Sequence, residues 1–188
     1  MVEKEFKKVV SKKEFEKLLN LFGYEKKTTQ VNIYYTNETI KYEYNLSVRV
    51  RCVNGKMLLQ VKEPICKGGA LNIKREYEKD IESIDYIIRG NELNELTRKK
   101  GYKDVYLLGF LVTERYIKKI KEYNCEIAFD KNTYLGKEDY EIELEYSEDI
   151  PIELVDMIGF QDAKTAGKYH RYITEYDRII KHKRRMKI

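Results

Sequence analysis

The chain has 188 residues, 42% of them hydrophobic, which supports one domain with a sizeable core and excludes a disordered tail. Its 37 Lys and Arg meet 32 Asp and Glu, and a net charge of only +5 excludes the lopsided surface of a dedicated DNA binder. Ten Gly and two Pro exclude collagen-like and Pro-rich low complexity, and no apolar run approaches the roughly 20 residues of a membrane span.

The chain opens with alternation. Glu3, Glu5 and Lys7 share one face of a predicted strand over Val2–Val10, and Val2, Lys4 and Phe6 share the other. Ser11 with Glu14 three residues on reads as a capping box, after which Phe15, Leu18, Leu19 and Phe22 repeat at helical spacing up to Gly23. Strands are predicted at Val31–Tyr35 and Leu46–Val53, the latter turning through Asn54-Gly55 into Lys56–Glu63. Pro64 is expected to end that strand, Cys66–Ala70 with Gly68-Gly69 to be a loop, and Asn72–Ile81 to be the next strand. A helix is predicted over Glu92–Lys100, closed by Gly101, then strands at Phe110–Ile120, Cys125–Asp130 and Tyr140–Tyr146. Pro151 suits the first turn of a short helix carrying Ile152, Leu154, Val155 and Ile158 up to Gly159. The segment after Tyr169 is amphipathic, then basic through Lys181, Lys183, Arg184, Arg185 and Lys187.

About eight hairpin-joined strands with a few helices give an α+β expectation: an antiparallel sheet, closed or open, with helices outside. No repeat or linker divides the chain, so one domain over 1–180 with a basic tail at 181–188 is expected. Cys52, Cys66 and Cys125 have no CxxC spacing and His170 and His182 are the only histidines, which predicts reduced thiols and no structural zinc. No apolar signal region follows Met1, and a cytoplasmic location is expected.

The strand faces carry charges sorted by sign. Arg49 and Arg51 share a face against Val48 and Val50; Gln60 and Lys62 lie opposite Leu59 and Val61; Glu76 and Glu78 lie opposite Arg75 and Tyr77. Thr113 and Arg115 share a face, and Glu141, Glu143 and Glu145 oppose Ile142 and Leu144. A solvated sheet face would mix its signs. A closed barrel with an apolar outside and a charged lumen accounts for the pattern, if the lumen holds a highly charged guest. Arg and Lys suit phosphate oxygens, and clustered carboxylates suit hard divalent cations, so a polyphosphate with bound metal would satisfy both sets. In the empty lumen like charges repel, and strands sorted this way are expected not all to pair locally.

Glu3-Lys4-Glu5-Phe6-Lys7 resembles the ExExK signature of the CYTH superfamily, the triphosphate tunnel metalloenzymes. The order of later segments strengthens the resemblance: Tyr34-Tyr35-Thr36, Val48-Arg49-Val50-Arg51, Leu58-Leu59-Gln60-Val61-Lys62, Arg75-Glu76-Tyr77-Glu78, Thr113-Glu114-Arg115, Asp130, Leu135-Gly136, Glu141-Ile142-Glu143 and Lys168-Tyr169-His170-Arg171-Tyr172. It implies a closed tunnel of about eight antiparallel strands and a Mg²⁺- or Mn²⁺-dependent hydrolase that releases the terminal phosphate of a triphosphate. It further implies that Lys7, Arg49, Arg51, Lys62, Arg115 and Lys168 contact the triphosphate. Glu3, Glu5, Glu78, Asp130, Glu141 and Glu143 would hold metal, with Glu5, Glu143 and Lys7 at the chemistry. The register of Glu76/Glu78 and of Glu141/Glu143/Glu145 stays open, since each series lies on one face.

The family also includes class IV adenylyl cyclases, which tend to carry a His-Phe pair ahead of ExExK. That pair is absent before Val2, so the cyclase is the second reading, beside a polyphosphate- or nucleotide-binding module without turnover. The expected partner is a small-molecule triphosphate, with an RNA 5′ end less favoured, and no DNA or membrane. The oligomeric state is left open, a homodimer among the options.

Overall fold

The structure, a computed structural model, describes residues 2–42, 46–68, 71–161 and 166–185. Nine strands and five helices occur among them: β1 (Val2–Val10), α1 (Lys12–Phe22), β2 (Lys26–Thr36), α2 (Glu38–Tyr42), β3 (Ser47–Val53), β4 (Lys56–Gly68), β5 (Leu71–Asp80), β6 (Ile87–Ile88), α3 (Gly90–Thr97), β7 (Val105–Ile120), β8 (Cys125–Tyr134), β9 (Lys137–Tyr146), α4 (Ile152–Ile158) and α5 (Lys168–Arg185).

Every pairing is antiparallel, and the order β2-β3-β4-β5-β1-β9-β8-β7 closes because β7 pairs back onto β2. The eight strands form a barrel with no open edge, and the two-residue β6 attaches to the start of β7. Closure decides which face is dry. The outward residues of β8 and β9, among them Ile127, Phe129, Ile142 and Leu144, are fully buried beneath Phe15 and Leu18 of α1 and Leu154 and Ile158 of α4. The outward Val48, Val50, Leu59 and Val61 pack with Ile40 of α2 and Leu93 of α3. A fully buried Leu or Phe is worth roughly 1.5–3 kcal/mol, so these outer layers hold the barrel together and release its interior for polar groups.

The first helix begins as expected: the Ser11 hydroxyl accepts from the Glu14 N–H at 3.2 Å. The Glu14 carboxylate does not return to Ser11; it accepts from Lys8 at 2.8 Å. The Asn54-Gly55 and Leu135-Gly136 pairs all take positive φ, which suits tight hairpin turns.

Three expectations about elements need correction. Pro64 does not end β4, which continues to Gly68; the register shifts between Pro64 and Cys66, and a bulge is where a residue without an N–H costs no ladder bond. The expected loop thus lies largely in strand, and Gly69 and Ala70 fall outside the described residues. The third helix starts and stops earlier than the spacing predicts. Asp104 accepts from the Gly90 N–H at 2.8 Å, and Arg98 turns left-handed at φ 56° to close the helix before Gly101. Strand β7 begins at Val105, because Gly109, at φ +151°, makes a bulge against β2 and not a break.

Gly109 also fixes α5. A Cβ there would overlap the Tyr172 hydroxyl, so only glycine lets this helix seat its tyrosines on the barrel end. Tyr172 packs against Tyr34 and Tyr134, with ring centroids 5.4 and 6.0 Å away. The basic segment continues α5 through Arg185 with every residue from Lys181 exposed; Lys187 lies outside the described residues.

Candidate active site

Alternation turns the charged faces inward. One wall is built from β1, β7, β8, β9 and the first turn of α5. Lys168 places its Nζ 2.8 Å from Asp130, 2.6 Å from Glu141 and 2.6 Å from Glu143. Arg115 grips Asp130 with Nε at 2.7 Å and Nη2 at 2.6 Å, and also donates to Glu143. Arg171 donates to Asp139 at 2.9 Å and to Glu141. Lys7 lies 2.5 Å from Glu5 and 3.9 Å from Glu143, and Lys74 lies 2.6 Å from Glu5. Lys62 of β4 reaches across to Glu3 at 2.8 Å and Glu76 at 3.1 Å.

Burial and these partners set the protonation. Burial works to raise the carboxyls of Glu5, Asp130 and Glu143, yet the cations outweigh it and hold all three below the usual carboxylate range. Lys7 and then Lys74 dominate at Glu5, Arg115 and Lys168 at Asp130, and Lys168 and Arg115 at Glu143. Glu141 goes the other way: its burial is complete and Glu143 repels it, so its carboxyl is raised despite Lys168 and Arg171. Burial alone would lower Lys168, but Asp130, Glu141 and Glu143 push it well above the usual lysine range.

The opposite wall, from β2, β3 and β4, is built differently. Arg49 donates from Nε to the Gln60 side-chain oxygen at 2.8 Å, and Gln60 in turn donates to Glu78 at 3.1 Å. Arg51 donates from Nε to the Asn32 side-chain oxygen at 3.1 Å. Neutral amides thus fix both guanidinium groups by one edge. The nearest carboxylate to Arg49 is Glu76, 3.8 Å from Nη2. Burial, reinforced by Arg49 and Arg115, pushes the Arg51 guanidinium down to about 9, still charged at neutral pH. Lys62 is likewise lowered by burial and then by Arg49.

The twelve residues singled out from sequence therefore line one lumen, but their carboxylates separate. Asp130, Glu141 and Glu143 converge, with one oxygen of each within 4.8 Å of the others. Glu3 and Glu5 are engaged by lysines, and Glu78 receives Gln60. The open registers are decided by pairing: Glu143 lies opposite Lys7 and Glu145 opposite Glu5, while Glu76 lies opposite Lys62 and Glu78 opposite Gln60. Of the sorted charges, those of the carboxylate wall do pair, because adjacent strands and α5 bring oppositely charged rows together, whereas Arg49 and Arg51 take amide oxygens as their hydrogen-bond acceptors. Lys74, Asn32, Tyr34 and Arg171 belong to the lumen and were not assigned to it from sequence. Lys74 had a signal, two residues before Glu76 on the same face. His170 and His182 are exposed.

A divalent cation fits the donor chemistry of the convergent trio, three hard carboxylate oxygens with no Cys or His among them. Lys168, Arg115 and Arg171 now neutralise those oxygens and would have to yield some of them.

The fold recurs in solved proteins. A Hippeastrum protein described as a "putative adenylyl cyclase" with "a dominant triphophatase activity" superposes with a TM-score of 0.70 at 16% identity, covering 92% of this chain and 96% of that one. A Bacillus halodurans protein described as a "putative adenylate cyclase" gives 0.67 at 20% identity over 89% and 95%. In sequence, the Bacillus subtilis (strain 168) protein named "Putative triphosphatase YjbK" is 29% identical over 149 residues, 77% of each chain. The CYTH-domain family model matches residues 1–156, all eight barrel strands included, and the chain belongs to the CYTH-domain family.

Proposed function

We propose that this CYTH protein hydrolyses a triphosphate inside the barrel and releases the terminal phosphate, with Mg²⁺ or Mn²⁺ as the metal. The observation that carries this reading is the opposition of two walls: arginines held by neutral amides face a convergent trio of carboxylates, two of them buried and the third largely so. The triphosphatase name of the Bacillus subtilis relative supports it.

In this reading Arg49, Arg51 and Lys62 bind phosphate oxygens from one side, and Lys7, Arg115 and Lys168 from the other. Binding in that cage holds the phosphate chain in line and offsets charge developing on the leaving oxygen. Asp130, Glu141 and Glu143, with Glu3, Glu5 and Glu78 as outlying carboxylates, would hold the metal. When bound, it supplies charge neutralisation at the phosphates and lowers the pKa of a water. Glu143, held below the usual carboxylate range by Lys168 and Arg115 against its burial, accepts a proton from water as the water oxygen bonds to the terminal phosphorus and the bridging P–O bond breaks, the diphosphate leaving. Glu5 keeps Lys7 oriented from the adjacent strand position. A location in the cytoplasm and a small-molecule substrate, more readily than an RNA 5′ end, belong to the same reading; no described helix is long and apolar enough to cross a membrane.

The test is phosphate release from inorganic tripolyphosphate, a nucleoside triphosphate, thiamine triphosphate and a 5′-triphosphorylated RNA, each with Mg²⁺, Mn²⁺ or chelator. Release from at least one, abolished by chelator and restored by metal, is expected. No release from any overturns the hydrolase, and full release in chelator overturns the metal.

A further inference from the structure

The strand β2 contributes no charge to the lumen, yet its inward side chains are buried and unfinished. Asn32 and Tyr34 are each 1% exposed, and Arg49, directly opposite Tyr34, is 6% exposed. The Asn32 Nδ2, the Tyr34 hydroxyl and the Arg49 Nη2 have no hydrogen-bond partner among the described residues. The Asn32 amide is not free to turn, because its oxygen accepts from Arg51 and aims the nitrogen away. The Tyr34 ring is fixed between Tyr169 and Tyr172, at 5.2 and 5.4 Å.

All three atoms are able to donate, and none has an acceptor within hydrogen-bond distance, the Glu76 carboxylate lying 3.8 Å from the Arg49 Nη2. A buried donor without one loses its hydration and gains nothing in exchange. Two such neutral donors, two residues apart on one strand face and so about 6.6 Å apart along it, flank the two arginines. A guest rich in acceptor oxygens and carrying negative charge would satisfy the whole row at once.

We infer that Asn32 and Tyr34 are further substrate-positioning residues, donating from the Asn32 amide nitrogen and the Tyr34 hydroxyl to oxygens of the bound triphosphate beside Arg49 and Arg51. This rests on the triphosphatase reading above. Neutral donors add direction without adding to the repulsion among Arg49, Arg51 and Lys62, which is where a further cation would be costly. Tyr34 suits the task chemically: burial raises its phenol, so it keeps its proton and stays a donor.

The experiment uses the full chain with Tyr34→Phe and, separately, Asn32→Ala. Inorganic tripolyphosphate is the probe, and both melting and steady-state kinetics with Mg²⁺ are read. Tyr34→Phe keeps the ring and deletes only an unpartnered hydroxyl, so without ligand its melting temperature should equal or exceed that of the wild type. A hydrogen bond to a charged group being lost, KM for tripolyphosphate should rise about tenfold or more, with the ligand-induced melting shift reduced to match and a smaller change in kcat. Asn32→Ala, which also removes the oxygen that holds Arg51, should raise KM at least as much, and an unchanged KM in it overturns the assignment even if Tyr34→Phe folds poorly. Wild-type KM in both folded variants overturns the assignment and leaves the triphosphatase reading standing, since water would then fill the row. A wild-type protein that neither binds nor hydrolyses tripolyphosphate in this assay overturns the assignment together with the reading beneath it for this substrate.

Discussion

The two walls of the lumen differ in electrostatic completeness. On the carboxylate wall each of Asp130, Glu141 and Glu143 touches at least two cations, delivered by β7 and α5. On the arginine wall Arg49 and Arg51 lean on amide oxygens and repel one another. A buried ion pair is costly to assemble but very costly to break, whereas a buried cation whose hydrogen bonds go only to amide oxygens leaves room for an anion. The difference teaches where a guest can enter: an anion completes the arginine wall as it stands, while a metal must compete with lysine and arginine on the other.

The largest expected effect follows from breaking the completed wall. Lys168→Ala leaves three buried carboxylates short of their shared cation, and a loss of about 3 kcal/mol in unfolding free energy is expected from denaturant titration. With that cation gone, Mg²⁺ should raise the melting temperature of the variant more than that of the wild type. Equal metal responses would mean that the trio does not bind the ion.

The second effect tests the incomplete wall. Arg49→Ala/Arg51→Ala relieves repulsion, so the free protein should melt no lower than the wild type. Tripolyphosphate at 100 times its dissociation constant should stabilise the wild type by about 2.7 kcal/mol, or roughly 5–10 °C at this size, and the double variant hardly at all. Equal shifts in both proteins would remove the arginines from the binding site.

The smallest effect is a control outside the lumen. Glu175 on α5 accepts from Arg178 and pairs with Lys137 at 2.6 Å, and these contacts lower its carboxyl to about 2. A depressed carboxyl contributes stability above the unfolded value near 4.3, which is lost as pH falls through that value toward 2. Glu175 itself is buried, but its partners are more than half exposed and solvent screens their charges, so Glu175→Gln should cost less at pH 7 than loss of Lys168 and nothing near pH 2. A cost rivalling that of Lys168→Ala, measured by melting across pH 2–7, would erase the contrast between lumen and surface ion pairs.

The barrel and the charged part of its site were legible in the sequence because a period of two exposes strand faces and charge marks the inner one. Asn32 and Tyr34 escaped for the converse reason: an inward neutral residue on β2 looks like any strand residue until pairing places it opposite Arg51 and Arg49. Arg171 lay in a quoted motif, but only the docking of α5 shows that it faces Glu141. Pro64 misled because its usual meaning as a strand terminator yields at a bulge.

The position of β1 has a further consequence, for the order in which the molecule is made. Glu5 pairs with Asn72 on one side and Glu145 on the other, so β1 waits for β5 before it has one barrel neighbour and for β9 before it has two. Ring closure is therefore among the most sequence-distant contacts in the chain, and such contacts make folding slow. During synthesis β1 would remain an unpaired edge, with Glu5 and Lys7 already beside one another and the outward Phe6 still uncovered. The strand that carries the ExExK signature gains its second neighbour only once β9 has been made, so the lumen cannot close before then.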